Sequence, residues 1–576
     1  MPPRNLLARW TELFVHTLIE SGVARFVVSP GSRSTPLVLA LAGAGIELTV
    51  VRDERAAAFF ALGMVRVTGR PVAVVCTSGT APGHYLPAVM EARASRLPLL
   101  MITADRPGEL HGMAAPQTAA QDHLFGAHAV GYFDLGTPDP APAALAGLRR
   151  VAAQAVLRST YPEAGPVQVN LRARKPLEPG PDESPEGSAL DATVAALLAR
   201  PCPAAIAPAM APHPSAVAAL DAALAKSARP LFVCGPTVHL DPARAAEIAG
   251  LAERVGAPLL AEAGSQLRFG AAARGVLDGY DVVLRSPGAV TALAPDLVIS
   301  VDAPPTSAPL LSALATWRAP RWVLAEAGWP DVDNRAERVL LGPVGALANA
   351  VGRLGQGGAG DYRARWHAAS TRAWALQDDL RASEGEATRA ALAGTPDGAV
   401  VVIGNSLPIR HVETYAPARD RAFTVLVQRG VNGIDGLVAT ATGAARAAGR
   451  PVTLLLGDVS LLHDATSLEL GQGLATSLVV VVLDNRGGRI FEMLPLAQTP
   501  GAPMELFTTP PDVDLAALAA AYRAHHLRVE GPDAVAAAVA EAHRRPGVSV
   551  VQVVVPPHGA QEALQELARR ARQEWT

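Results

Sequence analysis

Two short apolar runs constrain the fold of this chain more than any other segment. One is LLLGDVS from residue 454, the other is LVVVVLDN from residue 478, and both contain polar residues at their carboxyl ends. Runs this short and this rich in Val and Leu are typical of interior strands in a parallel sheet, and the interval between them fits one crossover helix. Ligands of such sheets bind at the carboxyl ends of the strands. The sequence therefore predicts an α/β fold with a ligand site that contains Asp458 and Asn485.

The polar residues at these two strand ends suit a divalent cation. The carboxylate of Asp458, the side-chain amide of Asn485 and a free backbone carbonyl in the turn at Gly487 and Gly488 offer hard oxygen atoms. Such atoms suit Mg²⁺ and leave octahedral positions for phosphate oxygens. An Asp after a strand also serves as a helix N-cap, which is the alternative for Asp458 alone. Together, the two strand ends favour a metal and diphosphate site.

Size and charge limit the other classes of function. A chain of 576 residues is too long for one core and should form about three domains. The net charge of −3 offers no extended basic surface, so we expect no nucleic-acid partner. The 3 cysteines form no CxxC pair, which suits a reducing cytoplasm. The first residues predict an amphipathic helix rather than a signal peptide, and no apolar run is long enough for membrane insertion.

Two composition breaks predict the domain boundaries. Residues 176–188 are rich in Pro and charge, and residues 352–360 are rich in Gly. We therefore expect domains at 1–185, 186–355 and 356–576, each a doubly wound α/β domain with a mainly parallel sheet. The predicted strands are 24–29, 47–51, 71–77, 98–104 and 166–171 in the first domain, 230–235, 257–263, 296–302 and 321–327 in the second, and 399–405, 451–458, 477–485 and 548–555 in the third.

An internal sequence repeat links the outer two domains. Residues 61–79 resemble residues 441–459, with Gly63 matching Gly443 and a shared GRPV sequence. Ala-rich helices that run into GRPV could match by chance, but duplicated subdomains explain the match better. Pseudo-symmetric halves often face each other across a cleft, and in a dimer each cleft can combine two chains.

Two loops of the first domain are candidate binding elements. The segment SPGSRSTPL, residues 29–37, places Arg33 between a strand and a helix, where free backbone N–H groups favour anions. A simple turn is the alternative. Glu54 follows another strand and would enter the first turn of a helix, where a glutamate usually acts only on the helix dipole.

These segments jointly resemble a known family. The motifs are DERAAAFFALG from residue 53, SPGSRSTPL, TSGTA from 77, TADRP from 103, GNSLPIR from 404, QRGVNGIDG from 428, GDVS from 457 and DNRGGRIF from 484. Together they resemble the thiamine-diphosphate enzymes and, more narrowly, the 2-succinyl-5-enolpyruvyl-6-hydroxy-3-cyclohexene-1-carboxylate synthase family. The resemblance spans all three predicted domains and implies that the first and third are homologous.

The resemblance implies thiamine diphosphate with Mg²⁺ or Mn²⁺ as cofactors. Glu54 matches the acid/base residue at the pyrimidine ring, and Ile434 matches the apolar residue beneath the cofactor. Asp458, Asn485 and the Gly487 carbonyl match the metal ligands. The implied cofactor-binding residues are Glu54, Ile434, Asp458, Val459, Ser460, Asn485, Gly487, Ile490 and Phe491.

The resemblance also implies the reaction, a decarboxylative addition of 2-oxoglutarate to isochorismate in menaquinone biosynthesis. Both substrates carry several carboxylates, which arginine can clamp in a bidentate way. Ser406, Arg410 and Arg429 match positions at the succinyl carboxylate, and Ser32, Arg33, Arg106 and Gln117 match positions around isochorismate. The family implies a homodimer or homotetramer.

The sequence departs from the family pattern in two places. Ala308 and Pro309 stand where a basic residue is typical, and Pro116 replaces an asparagine before Gln117. These differences leave two alternatives open. One is another thiamine-diphosphate-dependent 2-oxoacid decarboxylase or carboligase, and the other is a non-catalytic cofactor-binding homologue.

Overall fold

The chain forms two compact units. The computed structural model describes residues 4–352, 359–378, 383–419 and 421–576. Within these ranges the first unit contains residues 4–208 with Arg429–Asn432 and Ala439–Ala448, and the second contains Ala209–Gln428, Gly433–Val438 and Gly449–Thr576. The predicted boundary between 355 and 356 lies outside the described residues, and the three domain bounds stay predictions.

The first unit holds a parallel six-stranded sheet in the order β2-β1-β3-β4-β6-β5. Its strands are β1 Arg25–Val28, β2 Leu48–Val50, β3 Val72–Cys76, β4 Leu99–Asp105, β5 Gly131–Asp134 and β6 Val167–Arg172. Its helices are α1 Leu6–Glu20, α2 Thr35–Gly43, α3 Glu54–Thr68, α4 Leu86–Ala94, α5 Pro142–Thr160 and α6 Pro185–Leu198. The predicted amphipathic N-terminal helix is α1, whose Leu13, Phe14 and Leu18 are buried in the core of this unit.

The second unit holds two further parallel sheets. One has the order β12-β11-β10-β7-β8-β9. Its strands are β7 Pro230–Cys234, β8 Leu259–Ala261, β9 Val276–Leu277, β10 Leu297–Val301, β11 Arg321–Ala325 and β12 Ala336–Leu341. The accompanying helices are α7 Pro214–Lys226, α8 Pro242–Val255, α9 Tyr280–Val283, α10 Pro287–Ala292, α11 Ala308–Thr316 and α12 Val344–Ala350.

The last sheet has the order β14-β13-β15-β16-β18-β17. Its strands are β13 Val400–Ile403, β14 Thr424–Val427, β15 Val452–Gly457, β16 Ser477–Asp484, β17 His525–Glu530 and β18 Gly547–Val554. The helices in this stretch of the chain are α13 Ala359–Asp378, α14 Ser383–Gly394, α15 Leu407–Tyr415, α16 Leu437–Ala448, α17 Asp458–His463, α18 Glu505–Thr508, α19 Leu515–Ala521, α20 Val535–Ala542 and α21 Gly559–Glu574. Most of α16 belongs to the first unit.

The first and last sheets share one topology. If the strands of each sheet are numbered along the chain, both sheets have the order second, first, third, fourth, sixth, fifth. The internal repeat predicts this shared order. The strand order reverses beside the first strand of each sheet, which creates a switch point where ligands of open α/β sheets bind. The predicted α/β class with parallel sheets is confirmed. None of the helices in the described ranges combines the length and the apolar character needed to cross a membrane.

Candidate active site

The ends of β15 and β16 are tied together by Asp458. Its side chain is only 2% exposed. One carboxylate oxygen accepts the Val459 N–H at 2.7 Å, and the other accepts the Gly487 N–H at 2.8 Å. The carboxylate therefore holds the turn after β16 against the start of α17.

Burial makes the charge of Asp458 costly. Burial raises the pKa of its carboxyl group to about 6, and the nearby negative charges of Asp484 and Glu384 act in the same direction. The two backbone hydrogen bonds oppose this rise. A bound cation would stabilise the carboxylate form at this position.

Asn485, the residue after β16, offers an oxygen atom that has no partner. The residue is 4% exposed, and its amide nitrogen donates to a carboxylate oxygen of Glu384 at 3.2 Å. Its amide oxygen is buried and accepts no hydrogen bond from the described part of the chain. Buried polar atoms are normally satisfied, so this oxygen fits a role as a metal ligand. No group of three or more His, Cys, Asp or Glu suited to a metal occurs in the described ranges, so ligands of other types would be needed.

Gly487 adopts a conformation that other residues avoid. Its φ is +129°, and a Cβ built there would overlap the Thr508 carbonyl oxygen. That carbonyl accepts the Gly488 N–H at 2.7 Å, which fixes the turn. The carbonyl of Gly487 itself accepts the Arg489 N–H at 2.8 Å, so the prediction that it is free is wrong. A carbonyl oxygen has two lone pairs, and the second remains suited to a cation.

A cavity of about 880 Å³ opens at the carboxyl ends of the strands in the last sheet. Asp458, Asp484 and Arg486 line it together with the carboxyl ends of β17 and β18. Val459 and Ser460 lie in the first turn of α17, next to Asp458. Ile490 and Phe491 lie in a 3₁₀ turn, where the Phe491 ring contacts that of Phe507 with centroids 5.9 Å apart.

Two side chains of the second unit brace the loop that carries Ile434. The Asn405 amide nitrogen donates to the carbonyls of Gln428 at 2.8 Å and Gly433 at 2.7 Å. The Gln428 amide nitrogen donates to the Asp435 carbonyl at 3.1 Å. Ile434 is partly buried between these anchors.

Ser406 and Arg410 lie one helical turn apart at the start of α15. Ser406 has a φ of +70° and a ψ of −125°, a sparsely populated conformation of the kind that clusters at functional sites. The Arg410 guanidinium donates to the Ser406 carbonyl at 2.5 Å. The structure thus brings these two predicted residues together. Arg429 belongs to the first unit, where the Glu91 carboxylate accepts the N–H groups of the next two residues.

Glu54 is the first residue of α3, as predicted. Asp53 caps this helix, because its carboxylate accepts the N–H groups of Arg55 and Ala56. Glu54 is partly exposed, and its charge contributes to the environment of the buried Cys76 and Tyr85. Burial, above all, raises the pKa of both of these groups. Neither residue was among the predicted site residues.

The residues that are predicted to contact isochorismate all lie in the first unit. Arg33 is buried and donates to the Ala173 carbonyl at 2.5 Å, but its Nε has no partner in the described structure. Burial lowers the pKa of Arg33, the nearby Arg106 lowers it further, and Asp105 partly opposes both. Two guanidinium groups this close favour an anion beside them.

Neighbouring polar contacts extend this cluster. Arg106 donates to the Pro116 carbonyl at 3.0 Å, so the unusual proline still contributes a backbone acceptor. The Gln117 amide donates to the Ser78 carbonyl at 3.1 Å, and the Ser78 hydroxyl donates back to the Gln117 carbonyl at 3.0 Å. Ser32 is exposed beside Arg33.

Comparisons with known proteins identify the class of enzyme. Residues 8–125 match the N-terminal TPP binding domain of thiamine pyrophosphate enzymes, and residues 413–553 match the C-terminal TPP binding domain. The sheet topology and the two matches define a thiamine-diphosphate-dependent enzyme, which confirms the predicted class and organic cofactor.

Full-length relatives narrow the class to one family. The chain is 43% identical to the 2-succinyl-5-enolpyruvyl-6-hydroxy-3-cyclohexene-1-carboxylate synthase of Sorangium cellulosum, over 96% of this chain and 94% of that protein. It is 39% identical to the synthase of the same name from Geobacillus kaustophilus, over 91% of this chain and 90% of that protein. The Bacillus velezensis synthase is 33% identical over 99% of both chains. The chain belongs to this synthase family.

Proposed function

We propose that this enzyme joins 2-oxoglutarate to isochorismate, with loss of CO₂, to form 2-succinyl-5-enolpyruvyl-6-hydroxy-3-cyclohexene-1-carboxylate for menaquinone biosynthesis. Its family membership supports this reaction. The structural observation that carries most weight is that Asp458 has a buried carboxylate and Asn485 a buried amide oxygen without a partner among the described residues. Both residues lie at the carboxyl ends of neighbouring strands, a position suited to a cation and a diphosphate.

The cation would be Mg²⁺ or Mn²⁺, and Asp458, Asn485 and the Gly487 carbonyl would hold it. All three donors are oxygen atoms, which these hard cations prefer. Val459, Ser460, Ile490 and Phe491 would contact the cofactor on the same side, and Ile434 would support it from its braced loop. The bound cofactor supplies the electron sink for carbon–carbon bond cleavage.

Glu54 would hold and transfer the proton that the cofactor's pyrimidine ring exchanges. Its place at the start of α3 keeps the carboxylate at a strand end, and Asp53 fixes that helix start. General acid/base catalysis requires such a group within hydrogen-bonding reach of the exchanging proton. In a homodimer or homotetramer, Glu54 of one chain would serve the metal site of its neighbour.

Arginine residues would bind the substrate carboxylates. Ser406, Arg410 and Arg429 would bind the succinyl carboxylate of 2-oxoglutarate. Ser32, Arg33, Arg106 and Gln117 would contact isochorismate, and the closeness of Arg33 and Arg106 supports an anionic ligand there. Reducing conditions suit the cysteines, which are all free, so we place the enzyme in the cytoplasm.

A product assay tests the proposed reaction. The purified enzyme is incubated with thiamine diphosphate, Mg²⁺, 2-oxoglutarate and isochorismate, and the product is followed by mass spectrometry. We expect an adduct whose mass, counted for the fully protonated acids, equals that of both substrates less CO₂. Decarboxylation without any adduct would contradict the proposal.

A different acceptor is the second candidate. Ala308, at the exposed start of α11, supplies no charge where relatives typically carry a basic residue. Replacing isochorismate in the same assay with pyruvate or an aldehyde tests this alternative, since a carboligase of another specificity would form those adducts instead. A non-catalytic homologue would form no product and release no CO₂.

A further inference from the structure

A buried carboxylate and a buried histidine lie directly behind the proposed metal ligand Asn485. Glu384 and His411 are each 1% exposed. One carboxylate oxygen of Glu384 lies 2.9 Å from His411 Nε2, and the other accepts the Asn485 amide N–H at 3.2 Å. The three side chains therefore form a continuous hydrogen-bonded row in the second unit.

A close helix contact makes this row possible. Glu384 lies in the first turn of α14, and His411 lies in α15. A Cβ built on Gly385 would overlap the ring of Tyr415, so only glycine permits the two helices to approach this closely. The ring of Tyr415 also contacts that of His411, with centroids 5.9 Å apart. Gly385 and Tyr415 together therefore help to hold Glu384 beside His411.

The carboxylate determines which way the Asn485 amide faces. An ionised carboxylate only accepts hydrogen bonds, whereas a side-chain amide has one donating end and one accepting end. The amide nitrogen of Asn485 must therefore face Glu384, and the oxygen must face away from it. That oxygen is the buried atom without a partner in the described structure. The reverse orientation would place two acceptors together and present N–H groups to the cation.

We propose that Glu384 and His411 are positioning residues for the metal site. His411 holds the Glu384 carboxylate, and Glu384 holds the Asn485 amide so that its oxygen is available to the cation. Partners that orient metal ligands in this way typically contribute strongly to metal affinity. The inference rests on the proposed function, because it requires a cation at Asn485.

The test compares cation binding by the full-length enzyme and four variants. Glu384→Leu removes the acceptor but keeps side-chain bulk, and Glu384→Gln keeps an acceptor oxygen for Asn485. His411→Ala removes the second member of the row. The matched control is His543→Ala, because the His543 ring is also hydrogen-bonded within the second unit, to Thr453 at 2.8 Å and Ser477 at 2.9 Å, but at the amino ends of β15 and β16. The dissociation constant of Mg²⁺ is measured by calorimetry with thiamine diphosphate present, Mn²⁺ binding by electron paramagnetic resonance, and Tm without ligands.

We expect Glu384→Leu to weaken cation binding by about 10- to 100-fold, and Glu384→Gln to recover most of this loss. His411→Ala should weaken cation binding more than His543→Ala does, whereas both histidine variants lower Tm. Wild-type affinity in Glu384→Leu would overturn the inference. If Glu384→Leu does not fold, equal losses of cation affinity in the two histidine variants would overturn it, since a purely structural role predicts that result. Failure of the wild-type enzyme to bind Mg²⁺ with thiamine diphosphate would instead overturn the proposed function itself.

Discussion

Gly63 and Gly443 occupy matching positions in the internal repeat, and each lies against the backbone of the other's helix. A Cβ built on Gly63 in α3 would overlap the carbonyl oxygen of Thr440 in α16. One built on Gly443 would overlap the carbonyl oxygen of Phe60 in α3. Both contacts lie within the first unit. The duplicated glycines thus form one reciprocal helix crossing, within the same helix α3 that begins with Glu54.

Gly63→Ala or Gly443→Ala should destabilise this crossing. The added methyl group meets backbone rather than a flexible side chain, so the helices must move apart, at a cost of about 1–3 kcal/mol. The two substitutions should not be additive, because the first separation makes room for the second methyl group. Thermal unfolding of both single variants and the double variant measures this effect.

Gly147→Ala is the matched control for these variants. Gly147 lies inside α5, and a Cβ there meets no atom of the described residues within 4 Å. Alanine in a helix interior is favoured over glycine by about 0.5–1 kcal/mol, so Tm should rise slightly. Equal changes of Tm at positions 63 and 147 would contradict the close crossing.

The sequence predicts the interior strands well and most edge strands poorly. Among the strands of the described residues, five are missing from the prediction, β5, β9, β12, β14 and β17, and all lie at sheet edges. Strands buried on both faces need continuous apolar runs, but an edge strand such as β17, HHLRVE, is partly exposed and carries polar residues. The local pattern therefore reveals the interior strands of each sheet but few of the edge strands.

The candidate site shows the same limit at the level of single residues. Asp458 and Asn485 directly follow recognisable strands, and strand order brings such ends together. Glu384 and Asn485 are 101 positions apart, and only helix packing brings them into contact. A glutamate near the start of a helix, followed by Glu386, usually indicates an exposed first turn favoured by the helix dipole, so its burial could not be predicted.

Glu54→Gln should slow proton transfer without preventing cofactor binding. The amide keeps the shape of the carboxylate but cannot accept the proton, and loss of a general acid/base typically costs about 10²- to 10⁴-fold in rate. Single-turnover release of CO₂ from 2-oxoglutarate measures the effect, and calorimetry checks binding of thiamine diphosphate. Glu47→Gln, which breaks an exposed ion pair with Arg446, should leave the rate unchanged. Undiminished CO₂ release by Glu54→Gln would refute the assigned role.

Arginine substitutions should separate the two substrates. Arg106→Gln should raise KM for isochorismate and leave KM for 2-oxoglutarate unchanged, whereas Arg410→Gln should do the reverse. Loss of one charge-assisted contact is worth about 1.5–3 kcal/mol, or roughly a 10- to 100-fold rise in KM. Steady-state kinetics with one substrate varied at a time measures both constants. Arg174→Gln, which removes an exposed pair with Glu109, serves as the control. A parallel rise of both KM values in each variant would contradict separate carboxylate sites.

His543 should make stability depend on pH below neutrality. Burial lowers the pKa of this residue from 6.5 to about 4, while its ring nitrogens contact Thr453 and Ser477. Between these two pKa values the unfolded chain binds more protons than the folded one, so stability is complete above pH 6.5 and falls as the pH drops towards 4. The decrease in the free energy of unfolding from this one group is at most about 3 kcal/mol, and it is smaller where solvent reaches the ring. His543→Gln removes the titrating group, so Tm of this variant should decrease less than Tm of the wild type between neutral and acidic buffer. Thermal unfolding across this pH range measures both curves, and parallel curves would show that His543 does not titrate in the predicted way.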